Sequence, residues 1–249
     1  MTGNANFKVA AATLNSRGVV PDATQPVGWI SVMLASLVLI SACASKPTTP
    51  NWQANAHAAL KDFTTAYLTG NSRVANVEFA RARSEIASTG RADLLARAEL
   101  VRCATRVASL EFDNCAGLAL LTDDTAPAER AYAAFLKGDW QGLDAAALPA
   151  QHRLLVTSGT ESARNATLAG QTDPLAQLIA AGVLFQMGQL SPIGIAAAVN
   201  TASEQGWRRP LLAWLGVQAQ RAETAGDADA KARILRRIDL VSASGAATP

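Results

Sequence analysis

Asp173-Pro174-Leu175-Ala176-Gln177-Leu178-Ile179-Ala180-Ala181-Gly182-Val183-Leu184-Phe185-Gln186-Met187-Gly188-Gln189-Leu190-Ser191-Pro192 is the stretch that decides the fold. Asp173 and Ser191 each stand directly before a proline, so a capping side chain precedes a residue whose missing amide needs no partner at the first helical position. Helices are predicted to start at both, and Gly188 closes the first of them. The same punctuation recurs downstream. Gly206 closes a second helix, Pro210 sits in the first turn of a third, and Gly226-Asp227 separates it from a last helix carrying Ala230, Ile234, Leu235 and Ile238.

Upstream, Trp52, Ala56, Leu60, Phe63 and Tyr67 fall at spacings of four and three, one helical stripe ending at Gly70. Asn71 or Ser72 is placed to cap the next helix, with Val74, Val77, Phe79 and Ile86 expected toward the core and Gly90 as the stop. A third helix runs through Leu94, Ala98, Val101 and Ala108, with Arg91, Arg97, Arg102 and Arg106 expected on its solvated side. Asp124-Thr125-Ala126-Pro127 opens another, through Tyr132, Phe135 and Leu136 to Gly138. Trp140 to Pro149 reads as a loop before a short helix with Leu154 and Leu155. The polar, Gly-punctuated segment Thr157 to Thr172 is expected to be the least regular part of the domain.

Composition agrees. Alanine is abundant, aromatic residues make up 5% of the chain, and β-branched runs are nearly absent, which favours close-packed helices over a sheet. Short loops between such helices force antiparallel neighbours, so the expected fold is all-α, a stack of antiparallel helical hairpins. Leu212-Ala-Trp-Leu215-Gly216-Val-Gln-Ala219, followed by Gly226-Asp227 and an Ala-rich second helix, resembles a tetratricopeptide-type hairpin. The likeness covers one hairpin, without a strict period elsewhere. It implies a tetratricopeptide-like superhelix, and a compact helical bundle is the alternative.

Val27 to Cys43 is a different kind of segment, uncharged and about as long as the apolar region of a secretory signal, shorter than the ~20 residues of a spanning helix. Its end, Leu39-Ile40-Ser41-Ala42-Cys43, resembles the lipobox of bacterial lipoproteins. That resemblance implies diacylglycerol on the Cys43 thiol, cleavage before it, acylation of the new amino terminus and, with Ala44 rather than aspartate following, sorting to the outer membrane. Two or three acyl chains, at about 0.8 kcal/mol per buried CH2, give an essentially permanent anchor. The expected organisation is therefore a signal peptide over 1–42, a lipidated tether over 43–50 with Pro47 and Pro50 holding it extended, and a helical domain over 51–249 facing the periplasm. The leader before the apolar region, Met1 to Gln25, is longer and less basic than the lipoprotein pattern, with Lys8 and Arg17 against Asp22. A translation start downstream of Met1 would account for it.

In the oxidising compartment this address implies, the remaining pair Cys103 and Cys115 is expected to form a disulfide; two buried thiols or a pair of metal ligands are the other readings. The bridge requires a Cα separation of about 6 Å, so the third helix must end early or reverse near Glu111 to Asn114. A metal site would need further ligands, and the only histidines, His57 and His152, are isolated and read as ordinary surface or buried side chains. No metal and no cofactor is expected.

The chain carries 22 Lys and Arg against 20 Asp and Glu, a balance that leaves no basic footprint for nucleic acid. Glu161-Ser162, with Asn165, Ala166, Gly170, Phe185-Gln186-Met187 and Pro192, is similar to lytic transglycosylases, which implies Glu161 as an acid/base held in a dry sugar cleft. The second motif departs from that family, reading Gly182-Val-Leu-Phe-Gln186-Met187-Gly188, and sugar-stacking aromatics around it are missing. Trp207-Arg208-Arg209-Pro210 with Trp214 offers a cation-π or anionic-ligand patch; alternatively the tryptophans pack inward, since Trp207, Leu211 and Trp214 share one helical face. Lys231, Arg233, Arg236 and Arg237 make the last helix basic, nearly balanced by Asp227, Asp229 and Asp239. Two functions follow as expectations. One is a membrane-anchored module that binds a peptide or envelope protein between its hairpins; the other is a peptidoglycan-cleaving enzyme acting through Glu161.

Overall fold

Ten α-helices and two 3₁₀ segments follow one another in a computed structural model that describes residues 50–246, and no strand occurs among those residues. The expected signal peptide 1–42, the lipidated Cys43 and all of the tether except Pro50 lie outside the described residues. The helices are α1 (Asn51–Leu68), α2 (Ser72–Ala87), α3 (Ala92–Val107), α4 (Pro127–Lys137), α5 (Ala150–Thr157), α6 (Glu161–Ala169), α7 (Pro174–Gln186), α8 (Pro192–Glu204), α9 (Arg208–Thr224) and α10 (Ala228–Ala246). The 3₁₀ segments are Ala116–Asp124 and Ala145–Ala147. Among the described residues no helix is long and apolar enough to cross a membrane.

Local chemistry sets most boundaries. The side chains of Asn71, Asp173 and Ser191 accept from the amides of Val74, Ala176 and Gly194 at 3.1, 2.6 and 3.1 Å, each satisfying an amide that has no partner within its helix. Pro127, Pro174 and Pro192 occupy first helical positions. Gly138 ends α4 in the left-handed region at φ 73°, a conformation that costs a residue with a Cβ.

Two sequence expectations are corrected. The segment Thr157 to Thr172 is not irregular but holds α6, opened by Thr160, whose hydroxyl accepts from the Ala163 amide at 3.2 Å. Only Leu168 of that helix is buried, so no apolar stripe marks it; tertiary bonds hold it, with Asn165 donating to the Gln189 carbonyl and accepting from the Ser191 amide, both at 2.9 Å. In α2 the buried stripe is Ala75, Phe79, Ala82 and Ile86, while Val74 and Val77 face solvent, 38% and 61% exposed. Alanines hold the inner face because α2 lies close against α1.

The cysteine pair is bridged, with a Cα separation of 5.1 Å. As that bond demands, α3 stops at Val107, and the chain reverses through Leu110, Asn114 and Cys115 at φ 59°, 53° and 55°. Asp113 organises the return: one carboxylate oxygen accepts from the Cys115 amide at 3.0 Å and the other pairs with Arg106 at 2.6 Å.

Packing is organised around α7, whose residues from Leu178 to Leu184 are all buried, the mark of a helix surrounded by others. It touches α3, α4, α5, α6 and α8. Gly182 allows the approach to α3, since a Cβ there would lie 2.3 Å from the Val107 carbonyl oxygen. A smaller apolar cluster joins α1, α2 and α3 around Phe63 and Phe79, whose ring centres are 5.0 Å apart. The last hairpins then return to the first, because α9 packs on α1. Arg209 fastens that closure: it donates to the Tyr67 carbonyl at 2.8 Å and to the Ser72 hydroxyl at 2.6 Å, pairs with Glu111 at 3.3 Å, and stacks on the Tyr67 ring at 4.2 Å. Arg209 and Tyr67, which it joins, are 142 positions apart in the sequence.

Candidate functional site

Leu94, Arg97, Ala98 and Val101 fall at helical spacings of three, one and three, so they share one face of α3. That face is only partly covered. On one side it meets Trp52, Ala56, His57 and Leu60 of α1 and Ile86 of α2, leaving a mostly apolar cavity of about 400 Å³. On the other it meets Ala128, Glu129 and Tyr132 of α4 with Ala147, Leu148 and Pro149, leaving a second cavity of about 370 Å³. Arg97 and Val101 line both, so the two hollows flank this stretch of α3, and together they are called the trough below. Each is of the size that takes a small ligand or a few side chains.

An ion pair stands in this mostly apolar lining. Arg97 Nε donates to Glu129 Oε1 at 2.6 Å. The two partners differ in exposure: the Arg97 side chain is 61% exposed, that of Glu129 only 7%. Glu129 Oε2 is buried and has no hydrogen-bond partner among the described residues. Arg97 is exposed, as its place on the solvated side of α3 predicts, and it also lines the trough. The signal was present in the sequence, since Arg97 lies three residues after Leu94 and four before Val101. Glu129 gave none, because an acid in the first turn after Pro127 reads as an ordinary helix-start residue.

A second buried carboxylate, also unmarked in the sequence, is Glu99, 2% exposed and held between Arg83 and Arg102, the latter at 2.7 Å. The bridged loop lies on this cluster, for a Cβ at Gly117 would come 2.0 Å from Glu99 Oε2. Together with Arg106, Asp113 and Glu111 it fixes the disulfide-closed turn to α3.

The residues singled out in the sequence are dispersed. Trp214 is fully buried, its indole N–H donating to the Ala108 carbonyl at 3.2 Å and its ring meeting Phe185 edge-on at 5.7 Å. Trp207 precedes α9 and packs partly buried against the core, Arg209 closes the fold, and Arg208 reaches over Gly70 beside Arg73 in a polar hollow of about 460 Å³. Glu161 is exposed in the first turn of α6 and stands in solvent rather than in an enclosed cleft. Gly182 to Leu184 are buried in α7, while Phe185 is half-buried and Gln186 is exposed at its end. His57 is exposed on the α1 wall of the trough. Lys231 pairs with Glu223 at 2.7 Å, and Arg233, Arg236 and Arg237 are exposed along α10. Among the described residues no three His, Cys, Asp or Glu side chains cluster as a metal site would require.

His152 is fully buried, stacked on Phe135 at 4.7 Å and Tyr132 at 5.9 Å, and neither ring nitrogen has a hydrogen-bond partner among the described residues. Burial pushes its pKa from 6.5 down to about 4, against the opposing pull of Asp173. The unfolded chain therefore binds this proton near pH 6.5 and the folded chain only near pH 4, so stability is lost as pH falls through that window. At about 1.4 kcal/mol per pH unit the full loss is roughly 3 kcal/mol. His152→Phe should be more stable than the parent, and its advantage should grow between pH 6.5 and 4.5 in urea unfolding. A constant difference would remove His152 as the titrating group.

The fold and the trough define an all-α protein of packed helical hairpins, closed end to end and stapled by one disulfide. Comparison with protein-family models, curated proteins and solved structures finds no match.

Proposed function

We propose that the chain is an outer-membrane-anchored periplasmic lipoprotein whose helical domain binds a peptide or protein of the cell envelope. The observation that carries the binding part is the trough along α3, a partly covered, mostly apolar face that carries an ion pair. Such a surface suits side chains from a partner, and it starts at Trp52, two residues past the tether. The anchor part rests on Leu39-Ile40-Ser41-Ala42-Cys43. The Cys103 to Cys115 bond supports it, because structural disulfides persist outside the reducing cytosol.

Intact mass of the chain purified from membranes tests the anchor, with acylated Cys43 at the new amino terminus as the expected species. An unmodified Cys43, or a chain that still carries residues 1–42, overturns it. A photo-crosslinking residue at position 94 tests the module: adducts with a defined envelope partner should be lost in Val101→Trp, which fills the trough. A peptidoglycan-cleaving enzyme acting through Glu161 is the competing proposal. Release of wall fragments by the parent and not by Glu161→Gln would favour it over binding.

A further inference from the structure

His152 is a buried titratable group that the proposed binding leaves unused. It belongs to α5, an eight-residue helix that buries His152 and Leu155 and is too short to persist without packing. With the buried Leu148 just ahead of the helix, these two side chains pin the segment 143–158 to the rest of the fold. A glycine stands next to each end of that segment. Gly142 takes φ 70°, and a Cβ at Gly142 or Gly159 would meet nothing within 4 Å, so neither end is tightly packed. The next helix, α6, is held differently: Asn165 fastens it to Gln189 and Ser191, and Arg164 donates to Gln189 Oε1 at 2.7 Å. One of the three pins of 143–158 is thus a group that a proton switches, while α6 is fastened by bonds of its own.

We infer that 143–158 is a strap released by acid: protonation of His152 lifts the segment off Tyr132 and Phe135 about Gly142 and Gly159, leaving α4, α6 and α7 folded. The neutral ring suits its site, since it stacks on both aromatic rings and neither nitrogen has a hydrogen-bond partner among the described residues. An imidazolium would bring two N–H donors into the same place, both unpaired. The surrounding charges do not relieve it. Asp173, at the start of α7, favours the charged ring, but its carboxylate already caps the Ala176 amide. Tyr132 of α4 stays a neutral phenol, because burial pushes its pKa up, and Glu129 of α4 pairs with Arg97. Asp144 caps the 3₁₀ segment at Ala146, and Arg153 of α5 donates to the Leu148 carbonyl. On α6, Arg164 is bound to Gln189 and Glu161 is exposed. Lifting one short segment hydrates the new charge at far less cost than unfolding ten helices. Ala147, Leu148 and Pro149 wall the hollow beside α4, so the same movement opens that hollow to solvent.

Hydrogen exchange of the full chain, read by mass spectrometry and corrected for the intrinsic rate at each pH, tests the strap. Opening of 143–158 should rise about 70-fold from pH 7.5 to 4.5, the factor for a proton bound at 6.5 when open and at about 4 when closed, while α1 and α7 change less than about threefold. His152→Phe should keep the strap closed and remove its pH dependence. The parent alone makes the comparison between regions, so the test survives a variant that fails to fold. Equal acceleration of all three regions overturns the inference, because the chain would then be unfolding as a whole. So does an unchanged rate in 143–158, or the same pH dependence in a folded His152→Phe.

Discussion

Gly182→Ala is expected to lower the unfolding free energy by about 2 kcal/mol, while Gly216→Ala raises it by about 0.5 to 1 kcal/mol. Both glycines are inside helices, where alanine is intrinsically better by about 1 kcal/mol. Their surroundings set opposite signs. A Cβ at Gly216 meets nothing within 4 Å, so the propensity gain survives. At Gly182 it would sit 2.3 Å from the Val107 carbonyl oxygen, which is backbone and cannot swing aside. That same oxygen accepts from the Leu110 amide at 3.0 Å, so displacing it also loosens the turn that leads to Cys115. Overpacking of this kind costs about 1 to 3 kcal/mol or more and outweighs the propensity term. Urea unfolding of the two variants beside the parent decides the matter, and equal stabilisation by both would show that α3 and α7 are not in close contact.

Cys103→Ala with Cys115→Ala should cost about 3 kcal/mol, the loss of loop-closure restraint for a bridge spanning 12 residues. For a domain of this size that is a fall of roughly 6 to 12 °C in the unfolding midpoint. The loss includes more than chain entropy. Leu110, Asn114 and Cys115 have positive φ without being glycine, a geometry the bridge, Asp113 and the Glu99 cluster hold in place together. A reducing agent should lower the parent's midpoint to that of the double variant and leave the variant unmoved. If reduction shifts neither chain, the bond contributes nothing to stability.

The features legible in the sequence were those written in neighbouring residues. Asp173-Pro174 and Ser191-Pro192 announce helix starts because cap and proline act within four positions, and the all-α class follows from many such marks. The disulfide was legible because only one cysteine pair remains after Cys43. What stayed hidden depends on distant partners. Arg209 reads as half of a surface patch until Tyr67, 142 residues away, is brought beneath it. His152 gives no sign that three rings of its neighbourhood, Tyr132, Phe135 and Trp140, stack into one cluster that excludes water. Helix α6 carries no apolar stripe for the sequence to display, because capping and tertiary hydrogen bonds define it. The trough is the intermediate case, for Arg97 lies three residues after Leu94 and four before Val101, whereas Glu129, 32 positions from Arg97, becomes notable only in the fold.

The return of α9 onto α1 has a consequence for how the molecule comes apart. An open row of hairpins has two free ends and can lose units one at a time, each neighbour pair melting by itself. Here the terminal hairpin is tied to the first, so releasing either one breaks the Arg209 contacts and uncovers the other's packing face. The unfolding curve should therefore be a single steep transition, and amides of α1 should exchange with solvent at rates close to those of α9.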